Sequence, residues 1–237
     1  MRIDRFLSYM QVGTRKSLKA LFKAGRVKVD GQVINNGKFQ VTATTVVEVD
    51  DQPIHYQAYF YWLLNKPAGV VSATTDVQKT VLDLLDVTDF REDLFPVGRL
   101  DKDTTGLLLL TNDGDLAHAL LSPKKHVSKK YRATIDGIVT PADQQAFAAG
   151  LQLSDFIAQP ADLVILETDL EQQTSLIEVE IHEGKFHQVK RMFHAVGKSV
   201  VTLQRISMGP LTLPQTLLLG QYRALTTTEL AALQALN

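Results

Sequence analysis

Cysteine is absent from this chain, so disulfide scaffolding, thiolate nucleophiles and sulfur-rich metal sites are all excluded. No apolar run is long enough to span a bilayer. The opening Met1-Arg2-Ile3-Asp4-Arg5 has neither the apolar core nor the small-residue cleavage site of a signal peptide. The expectation is a cytoplasmic protein with no membrane partner. Charge of one sign is lacking too. The formal net charge of -1 does not by itself suggest a polyanionic partner. What is present, 237 residues with 45% hydrophobic and 22% charged content, is enough for one large domain and a small one.

The charge is unevenly placed. Arg2, Arg5, Arg15, Lys16, Lys19, Lys23, Arg26, Lys28 and Lys38 face only Asp4 and Asp30 over the same stretch. Between Ser17 and Ala24, Leu18, Leu21 and Phe22 recur at helical spacing, while Lys16, Lys19 and Lys23 fall together on another face. Val27-Lys28-Val29 then alternates as a strand into the turn Asp30-Gly31 and the returning Gln32-Val33-Ile34. A charge run is commonly a solvated face, but one sign on one face of a small module favours phosphate contacts. Arg2-x-Asp4-x-x-Leu7 and Ser17…Lys23-x-Gly25-Arg26-Val27-x-Val29-x-Gly31 resemble an S4 RNA-binding domain over roughly the first fifty residues. The resemblance implies RNA contacts from Arg2, Arg15, Lys16, Lys19, Lys23, Arg26 and Lys28, and no particular reaction. Asp50-Asp51-Gln52-Pro53 reads as the linker.

The second domain opens with Tyr59 to Leu64 as a strand. Asn65-Lys66-Pro67-Ala68-Gly69-Val70-Val71-Ser72 follows as strand, turn and strand, with Lys66 read as an exposed turn lysine. The stretch from Phe95 to Gly114 sets charge beside a buried strand. Leu107 to Leu110 are bounded by Gly106 and by Thr111-Asn112-Asp113-Gly114, the pattern of a short strand covered on both faces. Arg99, Asp101, Lys102 and Asp103 precede it on a turn, and spacing alone gives equal weight to a solvated charged turn and to a working carboxylate held by a rigid element. Asp101-x-Asp103-x-Thr105-Gly106 begins like a calcium loop, but its twelfth position is Asn112 where a bidentate Glu is required. His182-Glu183-Gly184-Lys185-Phe186-His187 misses the zincin spacing by one residue. No metal is expected.

Further along, Pro141 to Gly150 reads as a helix, with Leu163–Glu167 and Ser175–Ile181 as strands. Val189, Met192, Phe193 and Val196 form a core-facing helical stripe, so Lys190 and Arg191 point off it. Strict strand-helix alternation is missing, which argues against a doubly wound parallel sheet.

Gly98-Arg99-Leu100-Asp101-x-x-Thr104-x-Gly106-Leu107-Leu108-Leu109-Leu110-Thr111-Asn112-Asp113-Gly114 resembles the signature of the RsuA branch of the pseudouridine synthases, enzymes that isomerise uridine in ribosomal RNA. Asn65-Lys66-Pro67-x-Gly69, Lys129-x-Tyr131, Glu183-Gly184-Lys185-Phe186-His187-Gln188-Val189-Lys190-Arg191-Met192-Phe193 and Val201-x-Leu203-x-Arg205-Ile206-x-x-Gly209-Pro210 extend the match. The resemblance implies Asp101 as the essential carboxylate and Tyr131 stacking on the uracil, with Lys129 nearby. It also implies Lys190 paired with Asp101, Arg191 as the alternative for that pairing, and Leu203 bordering the base. Asp103 is not carried over and reads as a solvated neighbour. Arg99 is placed to grip a phosphate or to fill the gap left by the base. By residues alone, Tyr131 reads as the first core residue of a strand and Lys190 as a surface lysine.

The isomerisation breaks and remakes a bond to the sugar without redox change or group donor, so no cofactor is expected. A carboxylate that must stay ionised against a substrate is supported by an adjacent cation, and a target base in folded RNA must be swung out onto a flat side chain. The expectation is an α+β chain: a small S4 (α-L) module over 1–52, then a mixed, mainly antiparallel synthase domain over 58–237. It would be a monomer acting on ribosomal RNA or an assembling small ribosomal subunit. The His187-Gln188-Val189-Lys190-Arg191-Met192 form and the lack of a long basic tail favour 16S RNA over 23S RNA. The alternative from another class is a catalytically silent RNA-binding or assembly protein. A glycoside-type hydrolase would want a second catalytic carboxylate, for which Asp103 lies too near in sequence.

Overall fold

Thr14 and Gly25 delimit the basic helix of the first unit in the computed structural model, which describes residues 1–42 and 44–236. Thr14 caps its start by accepting from the Ser17 amide, and Gly25 takes φ +66° just past its end, where a left-handed residue closes the last turn. This unit comprises Met1–Tyr59 with Val87–Arg91. It holds α1 (Ile3–Tyr9), α2 (Arg15–Lys23) and the strands β1 (Val27–Val29), β2 (Gln32–Val33), β3 (Val47–Val49) and β4 (Gln52–Ile54) in the order β2-β1-β3-β4. Ile3, Phe6, Leu7, Leu18, Phe22, Val27 and Val47 share its core.

The expected linker is not one. Asp50 and Asp51 both take positive φ and turn a tight hairpin, so that Val49 pairs with Gln52 and Glu48 with Pro53. Chain that was read as a connection is the outer strand of the small sheet.

The second unit comprises Phe60–Asp86 and Glu92–Asn237. Its strands are β5 (Tyr61–Lys66), β6 (Phe95–Pro96), β7 (Thr105–Thr111), β8 (Lys129–Asp136), β9 (Asp162–Asp169), β10 (Thr174–Ile181), β11 (Ser199–Met208), β12 (Leu211–Thr212) and β13 (Tyr222–Ala224). Its helices are α3 (Gly114–Leu121), α4 (Pro141–Ala149), α5 (Gln188–Ala195) and α6 (Thr227–Gln234). The sheet runs β13-β5-β7-β11-β8-β10-β9, with β6 on β7 and β12 on β11. Every pairing is antiparallel except β7 with β11, so the sheet is mixed and mainly antiparallel.

The leucine run is fully buried, as a strand covered on both faces requires: Leu107 and Leu109 join a cluster with Leu116 and Leu120 of α3. Val189, Met192 and Phe193 bury the inner stripe of α5, with Phe193 4.9 Å from Phe147 of α4. The strand expected over Val70–Ser72 is absent; only an isolated bridge joins Val71 to Thr80. No helix among the described residues is long and apolar enough to cross a membrane.

Candidate active site

The turn before β7 is pinned from below by a lysine that the sequence reading left on the surface. Lys66 is fully buried at the end of β5, and its ammonium donates to the carbonyls of Thr104 (2.9 Å), Asp101 (3.0 Å), Pro67 (3.1 Å) and Lys102 (3.3 Å). Burial pushes its pKa down to about 8 despite the opposing pull of Asp103 and Asp101. Ser72 Oγ donates to the Leu100 carbonyl and accepts from the Leu100 amide, and the Gly69 amide donates to Lys102. A turn held at so many backbone atoms presents Asp101 in a fixed direction.

Lys190, in the first turn of α5, ends between two carboxylates. Its ammonium is 3.2 Å from Asp101 Oδ2 and 2.7 and 2.9 Å from the oxygens of Asp103. Asp103, read from sequence as a solvated neighbour, is exposed yet holds the nearer contact. Burial pulls Lys190 down, but its bonds to Asp103 and Asp101 outweigh that and hold it above the usual lysine range. The bond from Lys190 keeps Asp103 below the usual carboxylate range against partial burial. These two carboxylates also answer the unfavourable placement of a cation at a helix start. Nε2 of His187, the αL residue that opens α5, lies 3.5 Å from Asp101 Oδ1.

Tyr131, Lys129, Leu203 and Arg205 share one face of the sheet. Arg205 pairs directly with Tyr131 across β8 and β11, Lys129 and Leu203 sit two residues along their strands, and all four are buried. With Asp101, His187 and Lys190 they line one cleft of about 370 Å³, within the range of small-ligand sites. Exposed Arg99 and Lys185 also line it. The cleft walls are braced by Glu183, which accepts from the Gln188 side chain (2.6 Å) and the Gln159 amide (2.9 Å).

The structure thus brings together Asp101, Tyr131, Lys190, Leu203, Lys129 and Arg99. It does not bring Arg191 to Asp101: that guanidinium is engaged by Asp155 and Ser154 and lies 5.1 Å from the Phe156 ring. Among the basic residues of the first unit, Arg15, Lys16, Lys19 and Lys23 are exposed on α2, whereas Arg2, Arg26 and Lys28 are held by Asp4, Asp50 and Asp51. Arg205 was missed, although the period of a strand puts it on the same face as Leu203. His187 was missed because only the turn into α5 aims it back at Asp101. Among the described residues, no three His, Cys, Asp or Glu side chains converge as a metal site.

An ion-paired carboxylate fixed beside an enclosed tyrosine is suited to covalent or acid–base work on a flat ring. Comparison with known proteins agrees with this chemistry. The sequence pattern of the RNA pseudouridylate synthase family matches residues 60–195, and that of the S4 domain matches residues 1–47. The chain is 45% identical to an uncharacterised RNA pseudouridine synthase of Bacillus subtilis over 97% of both chains. It is 40% identical to the ribosomal small subunit pseudouridine synthase A of Yersinia pestis over 99% of both. It is 37% identical to the ribosomal large subunit pseudouridine synthase B of Bacillus subtilis, over 99% of this chain and 96% of that one. A crystal structure of a pseudouridylate synthase superposes with a TM-score of 0.68 at 34% identity, covering 98% of this chain and 99% of that one.

Proposed function

The chain belongs to the RNA pseudouridylate synthase family, isomerases of uridine in RNA, and we propose that it acts on ribosomal RNA, at a uridine of the 16S RNA. In this reading it works as a cytoplasmic monomer on free RNA or an assembling small subunit. Asp101 is the reacting carboxylate, Lys190 its counter-ion, Tyr131 the platform for the flipped base, and Leu203 the apolar border. Arg99 meets a phosphate at the rim, and the exposed cations of α2 hold the RNA backbone. The observation that carries this is the placement of the Asp101–Lys190 pair in the same cleft as Tyr131 and Leu203. The small-subunit target is supported by the His187-Gln188-Val189-Lys190-Arg191-Met192 run.

Isomerisation expels the hydrogen on uracil C5, so tritium released from 5-tritiated uridine reads the reaction. Wild type should release tritium from 16S RNA, and Asp101→Ala should release none. Equal release by both proteins would remove Asp101 from the chemistry. Release from 23S RNA alone would transfer the target to the large subunit, and none from either RNA would favour a binding protein.

A further inference from the structure

Among the described residues, two buried cations on the floor of the cleft have no carboxylate. Arg205 is 2% exposed; its Nε donates to the Leu107 carbonyl at 2.8 Å, and its Nη2 is buried with no hydrogen-bond partner. Lys129 is 9% exposed, and its ammonium donates to the Val127 carbonyl at 2.9 Å. Among the described residues, no acidic side chain forms an ion pair with either; the nearby Lys130 takes Glu180, while Asp101 is taken by Lys190 and His187. Burial, and then the charge of Arg205, hold Lys129 below the usual lysine range. Like charges buried together without a counter-ion weaken a fold. A gain elsewhere must account for keeping them.

The gain is legible in what occupies the floor. A nucleotide swung out of its strand would enter base first, which leaves its phosphates to the exposed Arg99 and Lys185 that also line the cleft. Lys129 and Arg205 flank Tyr131 on the same sheet face and therefore meet the base.

Resting on the isomerase reading above, the geometry points to Lys129 and Arg205 as the electrostatic site that stabilises the uracil as a leaving anion. In this step the N1–C1′ bond breaks and its electron pair stays with the base, spreading negative charge over N1, O2 and O4. The base then rotates, C5 bonds to C1′, C5 gives up its proton, and N1 gains one. Two cations fixed in a low-dielectric floor are already oriented when that charge forms, which is where preorganised charge lowers a barrier most. They act on the departing base, while Asp101 and Lys190 act from the wall.

The test uses single-turnover reactions of the full chain on matched RNAs carrying uridine or 5-fluorouridine at the target, reading loss of the N1–C1′ linkage. Fluorine makes the departing base a more stable anion, so it substitutes in part for the two cations. Lys129→Met should slow the uridine reaction by about 100-fold, slow the 5-fluorouridine reaction less, and leave the half-saturating enzyme concentration little changed. Its resistance to urea should be equal to or above wild type, because an uncompensated buried charge has gone. Arg205→Gln should show the same substrate dependence, and Arg205→Lys should recover part of the rate. Equal slowing of both RNAs, or slowing accompanied by loss of stability in Lys129→Met, would assign these residues to the fold and overturn the proposal. Failure of the wild type to consume either RNA would overturn the isomerase reading and this one with it.

Discussion

Adding a single methyl at Gly106 should separate the two halves of the catalytic sheet. Gly106 has φ +103°, and a Cβ built on it would lie 2.3 Å from the carbonyl oxygen and 2.8 Å from the amide nitrogen of Arg205. Both contacts are backbone, so no side chain can rotate away; β7 and β11 must part at the register where Gly106 faces Arg205. The backbone conformation alone costs an alanine about 1–3 kcal/mol. Forcing a group into a filled site costs about 1–3 kcal/mol more, giving a loss of roughly 4 kcal/mol for Gly106→Ala against a total stability of about 5–15 kcal/mol. The only tryptophan, Trp62, sits on β5 opposite Leu110 of β7, so its fluorescence follows urea unfolding of this unit. Activity should fall further than stability at mild temperature, because the same parting moves the Asp101 turn away from Tyr131 and Arg205. A variant within about 1 kcal/mol of wild type and fully active would refute the close approach of the two strands.

Lys66→Met removes the donor shared by four carbonyls; it should cost about 3 kcal/mol in urea unfolding and lower kcat more than KM, and an unchanged kcat would show that the Asp101 turn needs no such anchor. Glu229 is held at about 2, chiefly by its bonds from Arg223 and then against partial burial. Its contribution, about 3 kcal/mol at most, is therefore complete above the ordinary carboxylate range and lost as pH falls towards 2. Acid titration of Glu229→Gln should lack that component, and matching acid profiles would exclude it. Replacing Lys16, Lys19 and Lys23 together by Gln should lower the slope of log affinity against log salt by about 2, measured by filter binding of a ribosomal RNA fragment; an unchanged slope would remove the α2 face from the interface.

Features written in neighbouring residues were legible in advance. Leucines bounded by glycines gave β7, the stripe at Val189, Met192 and Phe193 gave α5, and the Pro141 start and Gly150 end gave α4. The turn at Asp50-Asp51 misled because two acidic residues in left-handed conformation lack the usual Asn-Gly or Asp-Gly signal of a tight hairpin. Lys66 could not be placed from its own surroundings, since its burial depends on a turn of chain from Asp101 to Thr104 folding over it. The pairing of Asp103 with Lys190, which its reading as a solvated neighbour left out, was hidden for a related reason: that lysine lies 87 residues away. Arg205 could have been found by following the strand alternation two residues past Leu203. Its lack of a counter-ion, in contrast, is a property of everything around it.

The parallel seam between β7 and β11 also sets a clock. Leu107 and Arg205, bonded across it, are separated by 98 residues, whereas β9 and β10, at the far end of the sheet, are joined by the short turn between Asp169 and Thr174. Contacts so distant in sequence form late, after the entropy of a long loop has been overcome. During synthesis the cleft stays open until β11 has left the ribosome, although the carboxylate turn and the tyrosine strand were made long before. A nascent chain can therefore carry its basic α2 face for much of its synthesis before it carries a reactive centre. Premature release between Lys190 and Ser199 would yield a polypeptide with Asp101, Tyr131 and Lys190 all present but without Leu203 and Arg205, and so with half the floor on which to hold a base.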